Sequence, residues 1–175
     1  MGGNPLTRTD PTGLAPFDFD AWTKSQSGQI NSGTNCYGYA IDTWSHKNPG
    51  NSSVLGARTC EGLISGAKKD GSIDPGIGQC GGSCPTGYHK IQIFLDSQNM
   101  FDRDYHVYRQ DDDGGWSHKQ GRSGVPSRLD ASGVALSCPI NSNRDFGSRN
   151  YSNYCETMCV PETGFTQSLN RWLKK

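Results

Sequence analysis

The sequence predicts an α+β domain: a short N-terminal helix carrying a cysteine, packed on a small antiparallel sheet in a loop-rich chain. Three observations carry that expectation. Apolar residues recur at helical spacing from Tyr37 and again near the C-terminus. Segments with strand-like alternation cluster between residues 90 and 119. The 23 glycines, with abundant Ser and Asn, leave little room for long regular elements. At 175 residues the chain has the size of one domain, large enough to bury a core without disulfides.

The elements follow in order. Tyr37, Ala40, Ile41 and Trp44 fall at i, i+3, i+4 and i+7, the apolar stripe of a short helix, with Ser32 or Thr34 as N-cap and Cys36 in the first turn. Residues 47 to 88 read as loops around a short helix from Glu61 to Lys68. Lys90 to Leu95, Asp104 to Arg109 and Trp116 to Lys119 alternate β-branched, aromatic and polar residues, and Asp111-Asp112-Asp113-Gly114-Gly115 joins the last two as a hairpin turn. These strands are expected to lie antiparallel in sequence order. After Pro161, the spacing of Phe165, Leu169 and Trp172 predicts a closing amphipathic helix.

Charge and hydropathy exclude some functions. The 17 basic residues balance the 17 acidic ones, and no Lys/Arg run forms a stripe that would track phosphates, so nucleic acid is not the expected partner. There is no apolar stretch long enough to span a bilayer and no charged-then-apolar leader, so neither a membrane span nor export by the general secretory route is expected. Nothing in the motifs calls for a cofactor.

The strongest chemical feature is Asn35-Cys36-Tyr37-Gly38-Tyr39-Ala40. A thiol at a helix N-terminus faces unpaired N–H groups and the positive end of the dipole, which favour thiolate and would also hold an oxyanion. The competing role for Cys36 is that of a small buried hydrophobe. What favours chemistry is a base further along the chain, His106, in Asp104-Tyr105-His106-Val107-Tyr108. An odd-length hairpin loop with Gly114 left-handed would set His118 opposite His106, giving nucleophile, base and orienting group. A one-residue slip would separate the two histidines. Asp130, in Leu129-Asp130-Ala131-Ser132-Gly133, is the reserve orienter.

Seven cysteines are present: Cys36, Cys60, Cys80, Cys84, Cys138, Cys155 and Cys159. Setting one nucleophile aside leaves six, enough for three bridges of open connectivity, which would imply maturation in an oxidising space. The alternative is structural zinc on Cys80-x3-Cys84 and Cys155-x3-Cys159, or free buried thiols.

The opening residues carry a resemblance. Pro5, four residues, then Asp10-Pro11-Thr12-Gly13-Leu14 is similar to the P-x4-D-P-x-G-L signature that closes the core of Rhs and related YD-repeat proteins. The resemblance implies that residues 1–14 are the end of that core and residues 15–175 a C-terminal toxin domain, cut free between Leu14 and Ala15 inside the repeat shell. It also implies a cognate immunity protein and delivery into a target cell. The order Cys36, His106, His118 resembles the papain-like group in its NlpC and CHAP branches, which implies a papain-like fold. "NCYGYA", "DYHVYRQDDDGGWSHKQG" and "NYCETMCVP" look like blocks of bacterial toxin and phage domains. The sequence departs from CHAP in having Tyr105, not Gly, before the base. The function so implied is a secreted antibacterial or anti-host toxin that hydrolyses an amide in peptidoglycan or in a protein, with the periplasm favoured over the cytoplasm. Two alternatives stand beside it: deamidation or cross-linking of Gln on the same site, and a metal-independent nuclease using His106, His118 and Lys119.

Overall fold

The computed structural model describes residues 17–24, 33–51, 59–96, 98 and 103–162. The junction at Leu14 and Ala15, the capping role of Ser32 and the helix around Phe165, Leu169 and Trp172 lie outside these residues.

The fold is α+β. Helices α1 (Phe19–Lys24), α2 (Cys36–Ala40) and α3 (Cys60–Lys69) precede strands β1 (Tyr88–Leu95), β2 (Tyr105–Gln110), β3 (Trp116–Lys119), β4 (Pro126–Ser127) and β5 (Asn153–Pro161). The sheet runs β4-β3-β2-β1-β5, each neighbouring pair antiparallel. The three strands expected from alternation form its centre in the expected order. The returning chain adds β5 against β1, with a register shift between Ile93 and Phe94. Among the described residues no helix is long and apolar enough to cross a membrane.

Two cores sandwich this sheet. On one face α2 and α3 bury Tyr37, Ala40, Leu63 and Ala67 against Ile91, Ile93, Val107 and Met158. On the other, Phe94, Tyr108, Trp116, Leu136 and Tyr151 pack beneath loops rather than helices. β2 feeds both, because successive residues of a strand point to opposite faces.

α2 differs from expectation at both ends. Its N-cap is Asn35, whose Oδ1 accepts the Gly38 N–H at 3.0 Å. Thr34 instead places its hydroxyl 2.7 Å from Thr43 O and 2.8 Å from Ser45 O, tying the returning chain over the helix start. The helix stops at Ala40 because Asp42 adopts φ 53°, so Trp44 leaves the predicted stripe and stacks on Trp22 at 3.8 Å. α3 is nearly as expected, capped by Thr59, whose Oγ1 accepts the Gly62 N–H at 3.0 Å.

The hairpin register also differs. Asp111 N donates to Gly115 O at 2.8 Å, Gly114 N donates to Asp111 O at 2.9 Å, and Gly114 takes φ 84°. That three-residue loop with a left-handed glycine pairs Tyr108, not His106, with His118. The offset from expectation is two residues, so the period of two keeps both histidines on one face, diagonal to each other.

Six cysteines are bridged: Cys60–Cys155 joins α3 to β5, Cys84–Cys159 joins the loop before β1 to β5, and Cys80–Cys138 joins that loop to the loops of the opposite face. Cys36 is the free one. The four thiols proposed for zinc, Cys80, Cys84, Cys155 and Cys159, are all consumed by these bonds. Among the described residues no cluster of potential metal ligands forms.

Candidate active site

β2 turns Tyr105 and Val107 toward α2 and His106 toward the loop-covered face. There His106 Nε2 lies 2.8 Å from His118 Nδ1, and His118 Nε2 lies 2.9 Å from Leu129 O. A carbonyl oxygen only accepts, so His118 carries its proton on Nε2 and offers the Nδ1 lone pair. His106 must then donate from Nε2, which leaves Nδ1 of His106 as the basic nitrogen. Stacking on Tyr151 (4.9 Å, 26°) and an edge contact with Tyr108 (4.9 Å) fix the His106 ring, and Tyr151 in turn donates its hydroxyl to Asp104 Oδ2 at 2.9 Å.

Both imidazoles are neutral near pH 7. Burial, then the neighbouring His118, holds His106 well below the ordinary histidine range. Burial also lowers His118, opposed by the Leu129 carbonyl and the charge of Asp130.

Cys36 enters from the other side. It is 5% exposed and packs with Tyr37 and Tyr105 on the helix face, its Sγ donating to Tyr105 O at 3.7 Å. The thiolate expected from its place at a helix start is not the resting state. Burial, with the charge of Asp104 second, pushes the thiol up to about 12, outweighing the N–H groups of Val107, Tyr37 and Cys36 itself. A helix of five residues has too short a dipole to offset that desolvation.

Cys36 and His106 meet at a cavity of about 230 Å³, also lined by Asn35, Asp104, Arg122 and Tyr151. Continuing the Tyr108–His118 register would set Gln120 opposite His106, but β3 ends at Lys119. His106 therefore has no ladder partner on β3, and the cavity is lined from both faces of the sheet, by Cys36 and Tyr105 from the helix face and by His106 and Tyr151 from the loop face. The resting contacts of the two groups run elsewhere, the thiol to Tyr105 O and the imidazole to His118.

Asp130 does not act as the orienter. Its carboxylate accepts the N–H groups of Ser132 and Val134 at 2.9 Å and of Asn143 at 3.0 Å, which hold it down to about 2. It fastens the loop, and the adjoining main-chain carbonyl of Leu129 does the orienting. Lys119 is likewise not a phosphate clamp. Its ammonium is buried on the helix face with all three donors in use, to Thr34 O at 3.0 Å, Gly121 O at 2.8 Å and Arg122 O at 3.0 Å.

Sequence reasoning missed Leu129, Tyr151, Asp104 and Arg122. The first acts through its backbone and leaves no side-chain signal. Asp104 stood in view, two residues before His106. Compared with known proteins, the chain matches no family model, no curated protein and no solved structure.

Proposed function

We propose that residues 15–175 are the toxin domain of an Rhs-type protein and act as a papain-like cysteine hydrolase on an amide bond. One observation carries this reading: the Leu129–His118–His106 relay presents a basic Nδ1 on a residue that shares a cavity with the free thiol of Cys36. In the reaction the Cys36 proton passes to His106 Nδ1 as sulfur attacks the amide carbon. His106 then returns the proton to the departing amine, and water cleaves the thioester.

Three bridges support work in an oxidising space, and hence a peptidoglycan amide ahead of a cytosolic protein. A thioester serves Gln deamidation or cross-linking equally well. The nuclease alternative is supported less, because Lys119 has no donor left for a phosphate. The Rhs junction implies a cognate immunity protein, and the balanced charge gives that protein no reason to be strongly acidic.

Expression in the periplasm and, separately, the cytoplasm of a susceptible bacterium tests this reading. Lysis on periplasmic expression is expected, with an intact culture in the cytoplasmic arm. Growth arrest from the cytoplasm alone would contradict the cell-wall target, and harmlessness in both compartments would contradict the toxin.

A further inference from the structure

We propose that Arg122 selects an anionic substrate, so that the amide attacked by Cys36 carries a carboxylate close to the scissile carbonyl. This rests on the reading of Cys36 as nucleophile and adds the chemical class of what it attacks.

Arg122 lines the cavity together with Cys36, His46, Asn48 and Asp104. Among the described residues its guanidinium has no carboxylate within salt-bridge distance. The negative charge already in the cavity is committed elsewhere. Asp104 accepts the Tyr105 N–H at 2.9 Å and the Tyr151 hydroxyl at 2.9 Å, and lies 4.0 Å from Arg149 Nε.

The backbone that carries this cation is held in place relative to the segment bearing the thiol. Lys119 Nζ binds the carbonyls of Gly121 and Arg122 and gives its third proton to Thr34 O, two residues before Cys36. One buried ammonium thus ties the backbone of Arg122 to the segment that presents the nucleophile. The turn behind it is closed by Gly124 N donating to Gln120 O at 2.9 Å. His46 stands beside Arg122, and burial and that guanidinium both lower its pKa, so it is available as a neutral hydrogen-bond donor without a second charge. An exposed, planar guanidinium at the mouth of a cavity, carried on a tethered backbone, recognises a carboxylate by two parallel N–H···O bonds. Peptide-type amides that keep a free carboxylate beside the bond meet that demand, and neutral amides do not.

The test is alkylation of Cys36 in the oxidised, full chain by two reagents of nearly equal size, anionic iodoacetate and neutral iodoacetamide, read by mass spectrometry. The rate ratio of iodoacetate to iodoacetamide is expected to exceed that of glutathione and to fall about fivefold in Arg122→Gln, the factor for one partly screened unit charge. Arg122→Lys should keep most of the preference, and 1 M salt should erase it, as screening requires. An unchanged ratio in Arg122→Gln, with Cys36 still labelled by iodoacetamide, would overturn the selectivity and leave the nucleophile assignment standing. If neither reagent labels Cys36 in the folded protein over hours at pH 9, where a thiol raised to about 12 still supplies about one thiolate in a thousand, the sulfur is not reached from the cavity and both readings fall.

Discussion

His118 Nε2 donates to the main-chain oxygen of Leu129 at 2.9 Å, and that contact decides which nitrogen of His106 is basic. The order runs from a loop carbonyl through one ring to the next. Each step fixes a tautomer, so the base is set before any substrate arrives.

Removing the middle of that relay should weaken the base without abolishing it. In His118→Ala, His106 Nε2 loses its acceptor and the ring is free to place either proton. The activity is expected to drop by at least about tenfold, and by less than in His106→Ala, which deletes the base itself. Dose–response curves of growth inhibition for the two variants measure this. Equal, complete loss in both, with Cys36→Ala unaffected, would favour the nuclease alternative.

Stability should fall on both sides of neutrality, for different groups. The histidines have folded values below their ordinary 6.5, so the unfolded chain binds more protons under acid, and stability is lost as pH falls below about 6.5. Cys36 is raised from 9.0 to about 12, so its contribution is complete below 9 and is lost as pH rises from there. Urea midpoints measured against pH should show the alkaline decline starting near 9, before tyrosines near 10 contribute, at up to about 1.4 kcal/mol per pH unit. In Cys36→Ala the part between 9 and 10 should disappear. An unchanged alkaline limb would mean that the thiol is not buried.

Unfolded but unreduced protein should offer a single thiol to a labelling reagent, mapping to Cys36. The bridges close long loops, with separations of 95, 58 and 75 residues. In the chain-entropy account each constrains the unfolded chain by about 4 kcal/mol, so reduction should lower the urea midpoint sharply. Four or more labelled sites would contradict the pairing.

Much of this was legible in the sequence, for reasons particular residues make plain. The pairing of His106 with His118 survived a misjudged register because the error was even, and a strand's two-residue period forgives even errors. What set the true register was the closure of Asp111 on Gly115, a choice of turn that composition does not reveal. Cys36 was singled out by its place at a helix start, with parity leaving six cysteines for bridges, yet its protonation state was misread, because burial depends on what packs around α2. β5 went unnamed since Asn153 to Glu156 are exposed or half-buried and the next four, Thr157 to Val160, are buried, without alternation. The orienting oxygen belongs to a backbone, and no side chain at Leu129 advertises it.

Processing is a separate matter. In the intact precursor the chain is expected to be cut between Leu14 and Ala15, so that the released domain begins Ala-Pro-Phe. Intact-mass analysis of the full-length protein decides it, and a fragment starting past Asp20 would contradict the Rhs junction.

The central claim is that Cys36 is the nucleophile, and the toxicity of Cys36→Ala tests it most directly. The variant keeps all three bridges and should retain the wild-type circular dichroism spectrum. With folding so verified, expression in the periplasm of a susceptible bacterium should leave growth unimpaired where the wild type lyses the culture, because without sulfur no thioester forms. A folded Cys36→Ala protein that kills as well as the wild type would contradict the account.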